Sequence, residues 1–474
     1  MASKNISFDS IPASIRKPGK YFEFNYKLAV RTLPANEQRV LIVGQRLEAG
    51  SVAALVPTTV FSDAQAAAWF GTGSMAHLMC RAAITANAYL DLTVVALDDG
   101  AGATATGTVT IANAASSAGT LKLYVGDRAI EIAIASAQTA VDVAAALKAE
   151  IDTYGDLPVT ATVAEAVVTL TARNKGTVGN QIGLAYELTA GATTVTLSGA
   201  RLSGGTLDPD IEDALAVVFA EQYHVVITPY NDQTALTALR THLDVVSGPL
   251  EQRAAIGVYG YDGALAGATT LAGQINSGRI TGAYLRGTRS PAWELAAAYG
   301  AVIAFEEDPA RPLNTLALTG IHAPVIDQRL SRTEQENCLR NGVTPLEVGP
   351  GEVVQIVRAI TTYTLDPQGI ADIALLDLTT IRTLDYTRKA CRERISLRFP
   401  REKLSSRTPD RVRAELLDVL FKMEDLEFLE EVAANKDGLI VERDLQDPNR
   451  LNAKIPVDVV NGLHVFAGRI DLYL

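Results

Sequence analysis

The chain has 474 residues, 48% hydrophobic and 20% charged, a globular composition with length for roughly two to four domains. Its net charge of −12 argues against a nucleic-acid-coating role, and Cys80, Cys338 and Cys391, widely spaced with no CxxC, fit maturation in a reducing cytosol. The opening MASKNISFDS lacks a secretory apolar stretch, and the longest apolar run, 295–305, is far too short to span a bilayer, so no membrane insertion is expected.

Residues 1–27 read as an N-terminal arm, because Pro12, Pro18 and Gly19 interrupt any regular element. Its end alternates, with Phe22, Phe24 and Tyr26 on one side and Glu23 and Asn25 on the other, as a strand does. RVLIVGQ (39–45) predicts a strand, 63–87 a helical stretch and 90–99 a second strand. Near Gly100 the composition turns rich in Ala, Thr, Gly and Val and stays so to Gly205. Short alternating segments (TGTVTIA, LKLYVG, AIEIAIA, VTATVAEAVVTLTA, TTVTLSG) surround one amphipathic helix at 139–154. This predicts a β-rich peripheral domain inserted into a larger one through Gly-rich joints.

Beyond it, helices at 209–222, 233–246, 263–277 and 291–304 alternate with strands at 224–230, 254–261 and 279–285. Such alternation predicts a layered α/β domain with a largely parallel sheet. The third from 331 to 463 holds NGVTPLEVGPGEVVQIVRAITTYT (341–364), where Gly and Pro set turns and β-branched residues predict a buried strand. Two helices follow. Asp377 is expected to cap the first, striped by Ile381, Leu384, Cys391 and Ile395. Thr408 and Pro409 open the second, striped by Val412, Leu416, Val419, Leu420 and Met423. The closing VFAGRIDLYL predicts a last strand with Phe466, Gly468, Ile470, Leu472 and Leu474 on one face.

The fold class is thus multidomain α/β and α+β. A layered core (28–99 with 206–330) carries the inserted domain (100–205), a C-terminal α+β domain (331–463) and extended terminal arms (1–27 and 464–474). A strand at each chain end is available to pair with another subunit's sheet edge.

No motif predicts catalysis. GTGS (71–74) follows a helical run, GVYGYDG (257–263) has the wrong spacing for a dinucleotide loop, and no P-loop, HExxH or GxSxG occurs. The five histidines never pair at metal-ligand spacing. No catalytic residue, cofactor or metal is expected. One charge asymmetry stands out: eleven basic residues against four acids from 378 to 413, then eleven acids against three bases from 415 to 447. These are either solvated helix faces or complementary surfaces that meet other copies or another protein.

Four stretches, IPASIRKPGKYFEFN, NGVTPLEVGPGEVVQIVRAITTYT, TIRTLDYTRKACRERISLRFPREKL and DPNRLNAKIPVDVVNGLHVFAGRIDLYL, resemble the tail sheath proteins of Mu-like contractile-tailed bacteriophages, as does the placing of the insertion. The resemblance implies a subunit that stacks in hexameric rings around a tail tube and contracts to drive the tube through the host envelope for genome ejection. It implies no hydrolysis during the stroke. It makes Arg388, Arg392 and Arg394 a tube-facing basic surface of an inner C-terminal domain. It makes Phe22, Phe24, Tyr26, Phe466, Ile470, Leu472 and Leu474 inter-subunit arms. The implied partners are other copies, the tail tube protein, and baseplate and tail terminator proteins, with no nucleic acid. The implied location is the virion tail, after assembly in the bacterial cytoplasm. The alternatives are the sheath of a phage-derived contractile bacteriocin, a nucleotide- or sugar-binding α/β enzyme, which the βα alternation favours, and an adhesin-like protein, which the insertion favours.

Overall fold

The computed structural model describes residues 16–22 and 33–473. Phe24, Tyr26 and Leu474 lie outside the described residues, as does most of the expected N-terminal arm; Phe22 is described and exposed. The described residues form two compact units, one of 37–385 with the chain end from 461, the other of 386–460 with those before 37.

The larger unit is built on β1 (Arg39–Gln45), whose apolar run is buried on both faces, as a central parallel strand requires. β2 (Thr58–Val60) is a short edge. The helical stretch expected over 63–87 is two helices, α1 (Asp63–Phe70) and α2 (Met75–Ala86). Gly71 (φ 89°) and Gly73 (φ 78°) break it, adopting backbone angles that an L side chain resists. Ser62 and Ser74 then cap the two halves, each hydroxyl accepting a backbone N–H from the first turn. β3 (Asp91–Leu97) returns parallel to β1.

The insertion leaves from the end of β3. Its elements are β4 (Thr104–Ala112), β5 (Gly119–Val125), β6 (Arg128–Ile134), α3 (Ala140–Thr153), β7 (Val159–Ala164), β8 (Val167–Lys175), β9 (Leu184–Leu188) and β10 (Thr194–Leu197). Two antiparallel sheets, ordered β10-β4-β8-β7 and β6-β5-β9, join α3 around a core of their own that includes Leu121, Leu123, Val143, Leu147, Val168 and Leu170. The two joints lie side by side: Ala103 N donates to Thr206 Oγ1 at 3.1 Å and Thr206 N to the Ala103 carbonyl at 3.3 Å. Gly102 is required there, since a Cβ would stand 1.6 Å from the Thr206 oxygen.

The core then resumes with α4 (Glu212–Val217), β11 (Val225–Ile227), α5 (Gln233–Val246), β12 (Ile256–Tyr261), α6 (Leu265–Ile275), β13 (Ile280–Tyr284), α7 (Ala292–Phe305), α8 (Arg332–Arg340), β14 (Thr344–Val348) and β15 (Val354–Ile356). The eight-stranded sheet runs β15-β14-β13-β12-β11-β1-β3-β2, parallel from β14 to β3 and closed by an antiparallel strand at each end. Residues 341–364 therefore belong to the core and not to a domain starting at 331. β14 pairs with β13, and the turn to β15 passes through Gly351 (φ 77°) and Glu352 (φ 59°).

α9 (Leu378–Arg398) begins in this unit. Asp377 does precede its first residue, but the carboxylate accepts from Arg358 Nε and Nη2 at 2.8 and 2.7 Å, a bidentate pair in place of the expected cap. In the smaller unit the rest of α9 packs with α10 (Thr408–Asp425), α11 (Val432–Asn435) and the antiparallel hairpin of β16 (Ile440–Arg443) and β17 (Leu451–Lys454). The stripe expected on α10, with Ala390 and Cys391 of α9, forms this unit's core, against which Ile395 rests half-buried. From 461 to 473 the chain is in no strand. The expected final strand is an extended segment whose alternation meets no partner strand within the described residues.

Candidate functional site: assembly surfaces and the root of the C-terminal segment

In open α/β sheets, ligands bind beyond the strand C-termini where the strand order reverses, here between β1 and β11. The insertion fills that crevice. Gln45 Nε2, at the end of β1, donates to Asp99 Oδ1 and to the Lys175 carbonyl, both at 2.8 Å. Asn174 Nδ2 donates to the Arg46 carbonyl at 3.0 Å and to Asp99 Oδ1 at 2.9 Å, while its oxygen accepts the Met75 N–H at 2.9 Å. The helix N-terminus that a phosphate would need at GTGS is therefore taken by protein. His77, His224, His322 and His464 each accept through Nδ1 from a donor of the chain itself. No group of three or more His, Cys, Asp or Glu among the described residues could hold a metal ion, and no described helix is long and apolar enough to cross a membrane.

A cleft of about 270 Å³ between insertion and core is lined by Arg81 of α2, Glu294 of α7, and Asp127, Arg128 and Asp156 of the insertion. Arg81 spans it, bonding Asp63 at 3.0 Å and Asp156 at 2.8 Å. Burial pushes the Glu294 carboxyl well above its ordinary value, with Asp127 adding to the rise and Arg81 opposing it. Burial raises Asp127 as well. A carboxyl whose folded pKa is raised stabilises most below its unfolded value, and that contribution is lost as pH rises through the folded one. Glu294→Gln is accordingly expected to raise the melting temperature by a few degrees at pH 8, roughly 1 kcal/mol, and to match wild type near pH 4. A thermal melt series over pH checks this.

The basic stretch is largely consumed inside the fold. Arg394 is not on the surface: its side chain is 3% exposed, with Nη1 bonded to Glu415 Oε2 at 3.2 Å and Asp418 Oδ2 at 2.5 Å. Position 394 faces α10, and a guanidinium buried there needs carboxylates. Arg398 shares Glu415, Arg411 pairs with Glu402 at 3.0 Å, and Arg413 Nε donates to the Leu439 carbonyl at 2.8 Å. Of the three residues expected to form one basic surface, Arg392 is exposed and Arg388 half-buried. Complementary charge on α9 and α10 is thus met within the unit. Sequence periodicity places Arg394 on a helix, but its carboxylate partners lie across a packing contact that no local pattern encodes.

The C-terminal segment is the most exposed apolar stretch described. Phe466 is 88% and Ile470 99% exposed, and Leu463, Val465, Leu472 and Tyr473 are also open to solvent. Its root is held. Gly462 lies against Pro312, where a Cβ would meet the ring at 2.7 Å. His464 Nδ1 accepts from Asn314 Nδ2 at 3.0 Å, and its Nε2 faces Asp377 Oδ1 at 3.5 Å. This root went unread in the sequence, where His464 stands alone and its partners lie far upstream.

The central-domain model of the phage tail sheath protein family matches residues 204–362, and the model of the phage tail sheath C-terminal domain matches 371–472. A Mu-like prophage FluMu tail sheath protein of Haemophilus influenzae is 34% identical across 99% of this chain and 100% of its own length. In fold, a sheath tail protein of Desulfitobacterium hafniense superimposes with a TM-score of 0.52 at 13% identity, covering 94% of this chain and 97% of that one. The sheath of an extracellular contractile injection system, PVC, in its contracted state gives 0.50 at 10% identity, covering 98% and 99%.

Proposed function

The chain belongs to the phage tail sheath family, and from that premise we propose that it polymerises as stacked hexameric rings around a tail tube and contracts to drive the tube through a bacterial envelope. Its place is the virion tail, between a baseplate and a tail terminator, with the tube protein inside and other copies alongside. The stroke uses no catalytic step; its energy is stored at assembly.

The observation that carries this reading is the exposed C-terminal segment, an apolar strand pattern that from 465 to 473 lies in no sheet among the described residues. Such a segment is suited to join a neighbouring subunit's sheet by strand addition. The arm residues Phe466, Ile470 and Leu472, with Leu474, are proposed to make that link, and Phe22, Phe24 and Tyr26 a second one from the other end. The exposed side of α9 around Arg392 is proposed to face the tube or an acidic neighbour. Negative-stain imaging of the purified protein tests the reading. Hollow tubes or rings are expected; a monodisperse monomer with ligand-dependent melting would overturn it in favour of an α/β enzyme.

The insertion is proposed to be peripheral to the lattice. Because Ala103 and Thr206 are hydrogen-bonded to each other, a short Gly/Ser bridge can replace 104–205 without moving β3 or α4. The excised chain is expected to form tubes as wild type does. It should melt lower, since excision uncovers the amides and side chains that Asn174 and Asp156 now satisfy. Insolubility, or loss of tubes, in the excised protein would make the domain integral.

A further inference from the structure

The contacts at residues 462–464 divide the C-terminal segment into a held root and an unheld arm. His464 keeps only 15% of its side chain exposed, between Asn314 and Asp377, while the next residues, Val465 and Phe466, are largely open to solvent. Asp377 is fixed in turn by the two bonds from Arg358. All of these residues sit in the larger unit.

We propose that His464 is a positioning residue, a latch that sets the reach of the arm. Closed, the arm starts at Val465; open, it starts at Asn461. The proposal rests on the reading of this segment as a linking arm. Ten residues, 465–474, span at most about 33–36 Å, and release of 461–464 adds about 13–14 Å. A lattice whose subunits shift while their arms stay attached needs slack of this kind. The latch consists of one neutral hydrogen bond, one longer contact to a carboxylate and a glycine–proline contact, a set suited to opening while the core stays folded.

The charged groups facing the imidazole are Asp377, before α9, and Arg358, after β15. Burial and Arg358 lower the His464 pKa, and Asp377 opposes them. Because Nδ1 already accepts from an amide N–H, a proton there would meet a donor. The latch is therefore strongest above the ordinary histidine value and is lost as pH falls through the lowered one.

Two measurements on the full chain test the proposal. In the monomer, a nitroxide attached at Asn461→Cys should move at least severalfold faster in His464→Ala than in the otherwise wild-type chain, with the tryptophan-detected melt unchanged. With His464 in place the same mobility should appear on acidification below the ordinary histidine value, following the imidazole. Equal mobility in the two proteins would overturn the latch. In the assembled sheath, Pro312→Cys with Gly462→Cys, joined by a short cleavable crosslinker, should leave fewer than about one in ten particles able to contract until the linker is cut, an effect of the size that a tenfold shift in an equilibrium gives. The native cysteines are all buried, so the linker reports on the engineered pair. Full contraction with the linker intact would refute the latch while leaving the arm reading standing; normal assembly of a chain ending at Leu463 would refute both.

Discussion

Arg394→Ala is expected to destabilise the smaller unit by about 3–5 kcal/mol, while Arg392→Glu, two positions away on α9 and exposed, is expected to cost no more than about 1 kcal/mol of folding stability. The difference lies in burial. Arg394 Nη1 is held by Glu415 and Asp418, and the Glu415 side chain is only 10% exposed. Removing the guanidinium takes one bond from Glu415, which Arg398 still reaches, and a short charge-assisted bond from Asp418. Nη1 makes both bonds, and lysine at 394 keeps the charge on a stem one bond shorter, so an intermediate loss is expected.

Both tryptophans, Trp69 and Trp293, lie in the larger unit, whereas α9 and α10 contribute much helix to the smaller one. The loss should therefore appear in the far-ultraviolet circular dichroism transition and spare the tryptophan fluorescence transition. It should also shrink in acid. Burial works to raise the Asp418 carboxyl, but the bonds from Arg394 and Lys422 overcome it and hold it below the usual range. A depressed carboxyl stabilises above its unfolded value and loses that contribution as pH falls through the folded one. Arg394→Ala and wild type should thus converge below about pH 4. Arg392→Glu should show its effect in tube co-assembly instead, binding more weakly and with less sensitivity to salt, since screening acts over about 10 Å at 0.1 M. Unaltered co-assembly would make this side of α9 a solvated face.

Where hydrophobic period and cap agree, the fold was legible. β1 and α5 match their expected spans, 39–45 and 233–246, and Thr139 begins α3 where the amphipathic pattern starts. The parallel sheet followed from βα alternation alone. Local pattern failed where a long-range contact decides the outcome. The helical stretch 63–87 breaks at Gly71 and Gly73, whose backbone angles no Ala-rich average reveals. α8 was missed because Cys338 is its only buried residue, although the capping box of Ser331 and Glu334 was there to be read. The hairpin of β14 and β15 looked like part of a later domain, because its membership of the core depends on pairing with β13 across sixty residues of intervening chain. The basic surface was misread for the same reason: composition counts charges, and only packing shows which of them are spent on each other. In the C-terminal segment the alternation was legible, but among the described residues it pairs with no strand.

Removal of that exposed segment carries the largest effect expected. A chain ending at Leu463 should fold as the full chain does and fail to form large assemblies. In the single chain the segment stabilises little: Phe466, Ile470, Leu472 and Tyr473 are almost wholly exposed, so their removal uncovers no core. The monomer loses the bond from Asn314 to His464 and the contact to Asp377, about 1 kcal/mol net. In an assembly the accounting differs. Seating Phe466, Ile470 and Leu472 against a neighbour would contribute about 1.5–3 kcal/mol each, and each strand hydrogen bond about 0.5–1.5 kcal/mol more. Those terms recur at every subunit, and they must exceed the entropy lost on docking, about 4–15 kcal/mol. Removing them takes away most of the margin that holds the lattice. Circular dichroism and sedimentation decide the matter. A native-like melt with loss of fast-sedimenting material is expected. A truncated monomer that no longer folds would show instead that residues 464–474 complete their own unit, and wild-type sedimentation would show that the lattice is held elsewhere.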